Sequence, residues 1–204
     1  SLSDYIKLTT WLAPESPEAL RRVVVNNDDR NQKIFALIKW LWKLWMKKLI
    51  FFSDRTQHLE NLSSIIWDDA ILFYGKSDID DVKQRIKSKD CYVILWNIKC
   101  CWEWFDVPEL QCWILWVSTT WVKSIVQMAW RMVRIFPWKT EAFFVDIMDT
   151  LQVDTSKKKY LWTSQRKKMY QELWWNIRDL KEMPSFLLSL ENKHDSNSIT
   201  EVAS

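Results

Sequence analysis

Glycine is almost missing from this sequence. Average usage of roughly 7% would give about 14 glycines in a chain of this length, yet there is only one, Gly75. Tryptophan is in excess, with 16 residues, and the two counts together, 1 + 16 = 17, come close to an ordinary glycine count. We interpret tryptophan in this chain as standing at positions where glycine would be expected.

Histidine and cysteine are also too few, and too poorly spaced, to indicate a metal site. There are two histidines, and the four cysteines (Cys91, Cys100, Cys101 and Cys112) show no metal-ligand spacing. Reduced thiols in an intracellular protein of the cytoplasm, nucleus or virion are the better interpretation. The net charge of +3 is too small to indicate nucleic-acid binding by itself.

Short apolar runs rich in β-branched and aromatic residues recur along the chain and alternate with polar, amphipathic segments. The runs predict buried strands at 48–53, 70–74, 91–96, 112–117 and 142–147. Helices are predicted at 28–46, 55–66, 78–88, 121–134 and 156–173. Such alternation is typical of an α/β fold with a mostly parallel sheet and helices on both faces.

Candidate ligand-binding residues follow the predicted strands, because ligands of such sheets bind at the carboxyl ends of the strands. Ser53 and Arg55 lie where the first strand leads into a helix, and Asn97 ends the third. Lys76 belongs to "GKS" (75–77), but a phosphate loop needs glycine where Ala70 stands, so a strand-to-helix turn is favoured. His58 and His194 are most simply surface residues.

Two arginines in "QMAWRMVR" (127–134) lie three residues apart, so Arg131 and Arg134 project from one face of the predicted helix, with Gln127 one turn earlier. Spacing alone favours a solvated basic stripe, whereas the functional interpretation is a pair of arginines aimed at a transferring phosphate. Asp106 in "WEWFDVPEL" (102–110) is either a turn residue or a carboxylate that binds a sugar hydroxyl or orients a catalytic arginine.

The order of these segments resembles the second RecA-like lobe of a superfamily 2 helicase or translocase. Motif V of that family is E-G-x-D-x-P, and the chain has "EWFDVP" (103–108), with Trp104 in the glycine place. Motif VI is Q-x-x-G-R-x-x-R, and the chain has "QMAWRMVR", with Trp130 in the glycine place. The resemblance covers about residues 28 to 178. Within the family, it is to the helicases of phages and large DNA viruses.

The resemblance implies a three-layer RecA-like lobe at 28–180, between an N-terminal extension at 1–27 and a polar tail at 181–204. It implies that Arg134 is an arginine finger, Arg131 a second γ-phosphate contact and Gln127 a nucleotide-sensing residue, while Asp106 binds ribose or positions the arginines. Further residues would grip the nucleic-acid backbone, with DNA favoured over RNA: Ser53, Arg55, Lys76 and Asn97. ATP and Mg²⁺ would be held mainly by a first lobe outside this chain, so the chain alone is expected not to hydrolyse ATP.

Two alternatives from other classes remain open at this point. The first is a nucleic-acid or protein interaction module of the same fold without motor activity. The second is a membrane-surface protein that uses the cationic, tryptophan-rich segment 34–52, which resembles an interfacial helix. If the tryptophans replace other residues, that membrane character is accidental, and no membrane partner is expected.

Overall fold

The computed structural model describes residues 25–100, 107, 109–116, 143–147 and 168–172. Four helical elements precede or separate the first three strands: α1 (Asp28–Leu44), α2 (Thr56–Ile66), a 3-10 turn (Trp67–Asp69) and α3 (Ile79–Lys87). The strands are β1 (Lys48–Ser53), β2 (Ala70–Phe73), β3 (Tyr92–Asn97), β4 (Cys112–Leu115) and β5 (Phe143–Asp146). Residues 168–172 are helical.

The five strands form one sheet in the order β2-β3-β1-β4-β5, and every neighbouring pair is parallel. β1 lies at the centre, where Ser53 is in register with Asn97 of β3 and Phe52 with Leu115 of β4. The ends of β1, β3 and β4 therefore meet at one edge of the sheet, and the predicted α/β class is confirmed.

Both faces of the sheet are covered, which explains why its strands are nearly continuous apolar runs. Leu49 and Phe51 of β1 belong to a core cluster that includes buried residues of α1 and α2. Ile50 and Phe52, the alternate residues, belong to a second cluster with α3 and residues Met169 and Tyr170. The predicted three-layer arrangement is thus present.

The helix starts follow local capping rules. The Asn27 side chain accepts a hydrogen bond from the backbone N–H of Arg30 at the start of α1, and Asp78 does the same for Asp80 in α3. Acidic residues fill the first turn of both helices, where the helix dipole favours negative charge. Each predicted strand is present within two residues of its predicted bounds, whereas the helix predicted at 121–134 and most of 156–173 lie outside the described residues.

The end of α2 places a tryptophan in an unusual backbone conformation. Trp67 has φ 65° and ψ −127°, and its side chain is 80% exposed. Among the residues that the structure describes, it is the one non-glycine residue with positive φ. That region of backbone space favours glycine, because a Cβ atom crowds the neighbouring peptide groups there.

Candidate functional site

Three loops at the carboxyl edge of the sheet make up the candidate site, and we call them the carboxyl-edge loops. They follow β1, β2 and β3 and comprise residues 53–56, 74–77 and 97–100. The edge carries three cationic side chains (Arg55, Lys76 and Lys99) and the amide of Asn97. Such a donor set suits anionic oxygens better than a metal ion.

Ser53 ends β1 with its side chain buried, so its hydroxyl faces the protein interior. Its oxygen accepts a hydrogen bond from the backbone N–H of Arg55 over 3.2 Å and lies 3.1 Å from His58 Nδ1. The Arg55 side chain is 27% exposed, with its Nε 3.9 Å from a carboxylate oxygen of Asp54. Ser53 therefore shapes the loop that presents Arg55, and its own contact with nucleic acid stays a prediction.

Asn97 connects the loops that follow β3 and β1. Its Nδ2 donates to Thr56 Oγ1 over 3.1 Å, and its Oδ1 accepts from the backbone N–H of Lys99 over 3.0 Å. The backbone N–H of Ile98 donates to the carbonyl of Ser53 over 2.9 Å, which continues the β1–β3 pairing into the loops. Two of the predicted ligand-binding segments are thus brought together, with Lys99 exposed beside them.

Lys76 is exposed in a tight turn between β2 and α3, as expected for a strand-to-helix connection. The Ser77 hydroxyl donates to the carbonyl of Leu72 over 3.3 Å and accepts from the backbone N–H of Tyr74 over 3.0 Å. Gly75 faces the loop after β3, since a Cβ built on it would lie 3.9 Å from Cys100 Sγ. The turn therefore carries Lys76 towards the same edge as Lys99.

The prediction that His58 is a surface residue is wrong. Its side chain is fully buried on the inner face of α2, with Leu59 and Leu62 beside it. Burial and the nearby Arg30 guanidinium hold the pKa of His58 well below its usual range, so the imidazole is neutral at physiological pH. The hydrophobic spacing of α2 contained this signal, because His58 is four residues before Leu62 and eight before Ile66.

Arg30 was missed by the sequence analysis, although it is buried next to the candidate site. Its guanidinium carbon lies 4.7 Å from the ring centre of Trp116, the residue that follows β4. The same indole packs edge-on against His58 with ring centres 4.6 Å apart. A cation stacked on an aromatic face is stabilised by the ring's quadrupole, so α1, α2 and the end of β4 meet in one polar–aromatic cluster.

The four residues predicted to contact nucleotide lie outside the described residues: Asp106, Gln127, Arg131 and Arg134. Their roles stay predictions. Within the described part of the chain, no group of three histidine, cysteine or acidic side chains is placed to hold a metal ion. Cys91, Cys100 and Cys112 are thiols, and burial raises the pKa of Cys112 far above its usual value, which makes that thiol unreactive.

The tryptophan-rich helix considered as a membrane anchor is part of the scaffold. Trp40, Trp42 and Trp45 are each partly buried and packed against the core cluster on the α1 face of the sheet. Of the helices in the described ranges, none is both long and apolar enough to cross a membrane.

Comparison with known proteins gives structural neighbours alone. No protein-family model matches the chain, and no curated protein sequence does. Among solved structures, T4 UvsW, a superfamily 2 helicase, matches 81% of this chain with a TM-score of 0.59 and 16% identity. This chain has the fold of a RecA-like helicase lobe. The C-terminal part of the Fun30 ATPase domain matches 82% of it at 20% identity, with a TM-score of 0.47 and 62% of that chain covered.

The UvsW match confirms, at the level of fold, the resemblance to the second RecA-like lobe of superfamily 2 helicases. At 16% identity the similarity establishes the fold and not the activity. The match to this chain spans 37% of the length of the UvsW chain. The activity of a longer protein that contains this chain therefore does not follow from the match.

Proposed function

We propose that this chain is the C-terminal motor lobe of an ATP-dependent helicase or translocase that moves on nucleic acid, in an intracellular compartment. The supporting observation is the joined pair of loops at the carboxyl edge, where Asn97 donates to Thr56 over 3.1 Å with Arg55 and Lys99 on either side. Lys76 extends this cationic edge towards β2. In parallel α/β sheets, this is the edge at which ligands bind.

The nucleic-acid backbone is the proposed ligand of the carboxyl-edge loops. Arg55, Lys76 and Asn97 contact phosphate oxygens, and Ser53 supports them. Phosphate contacts supply affinity without sequence preference, as a motor that travels along a strand requires. DNA is favoured over RNA as the partner.

The nucleotide-facing part of the proposal depends on residues outside the described ranges. Arg134 is the proposed arginine finger, Arg131 a second γ-phosphate contact and Gln127 a nucleotide-sensing residue. Asp106 binds ribose or positions the arginines. An arginine aimed at a transferring phosphoryl group stabilises the charge that develops on it.

ATP and Mg²⁺ are proposed to bind mainly to a first RecA-like lobe of the same protein. The described donor set at the carboxyl edge is cationic and amide-bearing, which fits phosphate rather than a divalent cation. The 204-residue chain alone should therefore show no ATP turnover, and measurable hydrolysis by the purified chain would contradict this assignment.

Nucleic-acid binding is tested by titrating the chain against a labelled single-stranded DNA at several NaCl concentrations. Each lost phosphate contact should reduce the steepness of log K against log salt by about 0.7. We expect that reduction for Lys76→Ala and for Arg55→Ala. Lys87→Ala is the matched control, because Lys87 is an exposed lysine at the far end of α3. Equal slopes for all three variants would argue against the interface.

Motor activity is tested in a two-lobe protein that contains this chain. Arg134→Ala should abolish DNA-stimulated ATP hydrolysis while leaving DNA affinity within about twofold, because an arginine finger acts mainly in the transition state. A non-motor interaction module has no hydrolysis to lose. The membrane alternative predicts flotation with anionic liposomes, which we do not expect because the tryptophans of α1 pack against the core.

A further inference from the structure

A buried hydrogen-bond chain runs beneath the loop that carries Arg55. Asn31 Nδ2 donates to the carbonyl of Val25 over 3.1 Å, so the network assigns its Oδ1 as the acceptor facing His58 Nε2 at 3.2 Å. His58 Nε2 therefore carries the proton, and Nδ1 accepts from the Ser53 hydroxyl over 3.1 Å. The Ser53 oxygen in turn accepts the backbone N–H of Arg55 over 3.2 Å.

The hydrogen-bond chain has a single direction, because Arg55 donates to Ser53, Ser53 to His58, His58 to Asn31, and Asn31 to the carbonyl of Val25. The imidazole is buried from solvent, and it is the acceptor that orients the Ser53 hydroxyl. Arg30 Nη1 lies 3.4 Å from the protonated Nε2, a long contact between two donors, so its influence on His58 is electrostatic. A second proton on the ring would place two cations together in the interior, which is costly.

We propose that His58 is a positioning residue for nucleic-acid binding. Through the Ser53 hydroxyl it fixes the main chain of Arg55. It thereby fixes where the loop after β1 contacts the phosphates of a nucleic acid. Arg30, held over Trp116, keeps the imidazole in the neutral form that this arrangement requires. The inference rests on the proposed nucleic-acid interface and adds a residue that makes no contact with the ligand.

Two substitutions at position 58 separate the two sides of the ring. The Asn side chain places its amide close to the position of Nδ1, whereas the Gln side chain places its amide close to that of Nε2. His58→Gln should therefore keep the link to Asn31, lose the acceptor for Ser53 and weaken single-stranded DNA binding about three- to tenfold, as expected for one lost hydrogen bond. His58→Asn should bind more tightly than His58→Gln. Ser53→Ala should behave like His58→Gln, because it removes the hydroxyl that links His58 to the backbone N–H of Arg55.

The deciding measurement is a double-mutant cycle with Arg55→Ala, made on chains whose folding is verified by circular dichroism. If His58 acts by placing Arg55, His58→Gln should cost little further affinity once Arg55 is already Ala. Additive losses would overturn the inference, and so would equal binding by His58→Gln and the parent. If Arg55→Ala alone changes nothing, the inference also fails. The salt dependence of Lys76→Ala then shows separately whether the proposed interface stands.

Discussion

Tyr92 donates its hydroxyl to Glu109 Oε1 over 2.9 Å, and Lys48 Nζ lies 2.7 Å from the other carboxylate oxygen. The side-chain oxygen of Gln111 accepts two hydrogen bonds, from the backbone N–H of Lys47 over 2.6 Å and from that of Lys48 over 3.1 Å. These contacts pin residues 109–111 to the amino ends of β1 and β3. The loop predicted to present Asp106 therefore leads directly into a fixed segment.

Removing the Tyr92 hydroxyl should weaken this anchor without disturbing the core. The ring of Tyr92 is buried, and burial together with Glu109 raises the pKa of its hydroxyl well above the usual value, so it remains a donor. Tyr92→Phe keeps the ring and loses one hydrogen bond to a charged acceptor. We expect the free energy of unfolding to fall by about 1–2 kcal/mol, measured by urea titration.

The matched control for this anchor is Glu60→Gln, which alters an exposed carboxylate on α2 and should leave stability within about 0.5 kcal/mol. In a Glu109→Gln background the effect of Tyr92→Phe should shrink, because the charged acceptor is already gone. Full additivity of the two substitutions would mean that the Tyr92–Glu109 contact contributes nothing.

Stability should fall as the solution is acidified through the range in which free histidine titrates. The pKa of His58 in the folded chain lies well below the value of 6.5 for the unfolded chain. The unfolded state therefore binds the proton first, so the full contribution of neutral His58 is present above pH 6.5 and is lost progressively below it. We expect the melting temperature to be lower at pH 5.5 than at pH 7.5.

His58→Asn should remove most of this pH dependence, because asparagine does not titrate. His194→Gln is the control, since it changes the other histidine of the chain and should leave the dependence intact. The pKa of Asp68 is lowered from 3.8 by its hydrogen bond with Lys89, so this carboxylate stays charged throughout the window. An unchanged pH profile in His58→Asn would show that another group controls stability.

The central strands of this fold were predictable, because β1, β3 and β4 are buried on both faces and so appear in the sequence as short, uninterrupted apolar runs. β1 is the clearest case: all six residues of "KLIFFS" were assigned correctly, and five of them are buried. The position of Ser53, Arg55 and Asn97 at a common edge followed from parallel pairing alone. These two predictions, the strand positions and their common edge, depend only on the local sequence pattern and on the rule that the carboxyl ends of parallel strands lie at one edge of the sheet.

The buried cluster of Arg30, His58 and Trp116 could not be predicted from the sequence, because its members are far apart along the chain. Arg30 and His58 are 28 residues apart and Trp116 follows β4, so their contact depends on how α1 and α2 pack on the sheet. Charged residues are rarely buried without partners, so an arginine in an amphipathic helix by itself predicts an exposed side chain. The spacing of Ile34, Ile38 and Leu41 did place residues 30 and 31 on the buried face of α1.

Replacing Trp67 with glycine should stabilise the chain. The residue has φ 65° and ψ −127° and is 80% exposed, so the substitution relieves backbone strain and loses little packing. Strained non-glycine conformations cost on the order of 1–3 kcal/mol. We expect Trp67→Gly to raise the free energy of unfolding by about 1 kcal/mol or more in a urea titration.

Trp67→Ala is the matched control for this substitution, because it removes the indole but keeps the Cβ atom that causes the strain. Its stability should stay close to that of the parent and below that of Trp67→Gly. If alanine stabilised as much as glycine, the cause would be the exposed indole rather than the backbone conformation.

The natural protein is predicted to carry glycine at many of these positions, among them 130. The chain has 16 tryptophans and one glycine, and Trp67 occupies glycine backbone space. Within the described residues, the indole N–H groups of Trp42 and Trp113 are buried with no hydrogen-bond acceptor, at a cost of about 1–3 kcal/mol each. A chain selected for function seldom accumulates such costs.

Peptide sequencing by mass spectrometry decides this prediction. Trypsin releases residues 124–131 as "SIVQMAWR", because Lys123 precedes the peptide and Arg131 ends it. In protein from its natural source we expect this peptide with glycine in the seventh place, and therefore a peptide mass lower by one tryptophan–glycine difference. Recombinant protein made to the printed sequence is the matched control. A natural peptide that contains tryptophan would show that the indole is genuine, and Trp130→Gly in a two-lobe protein should then increase ATP hydrolysis, because glycine restores the predicted motif VI.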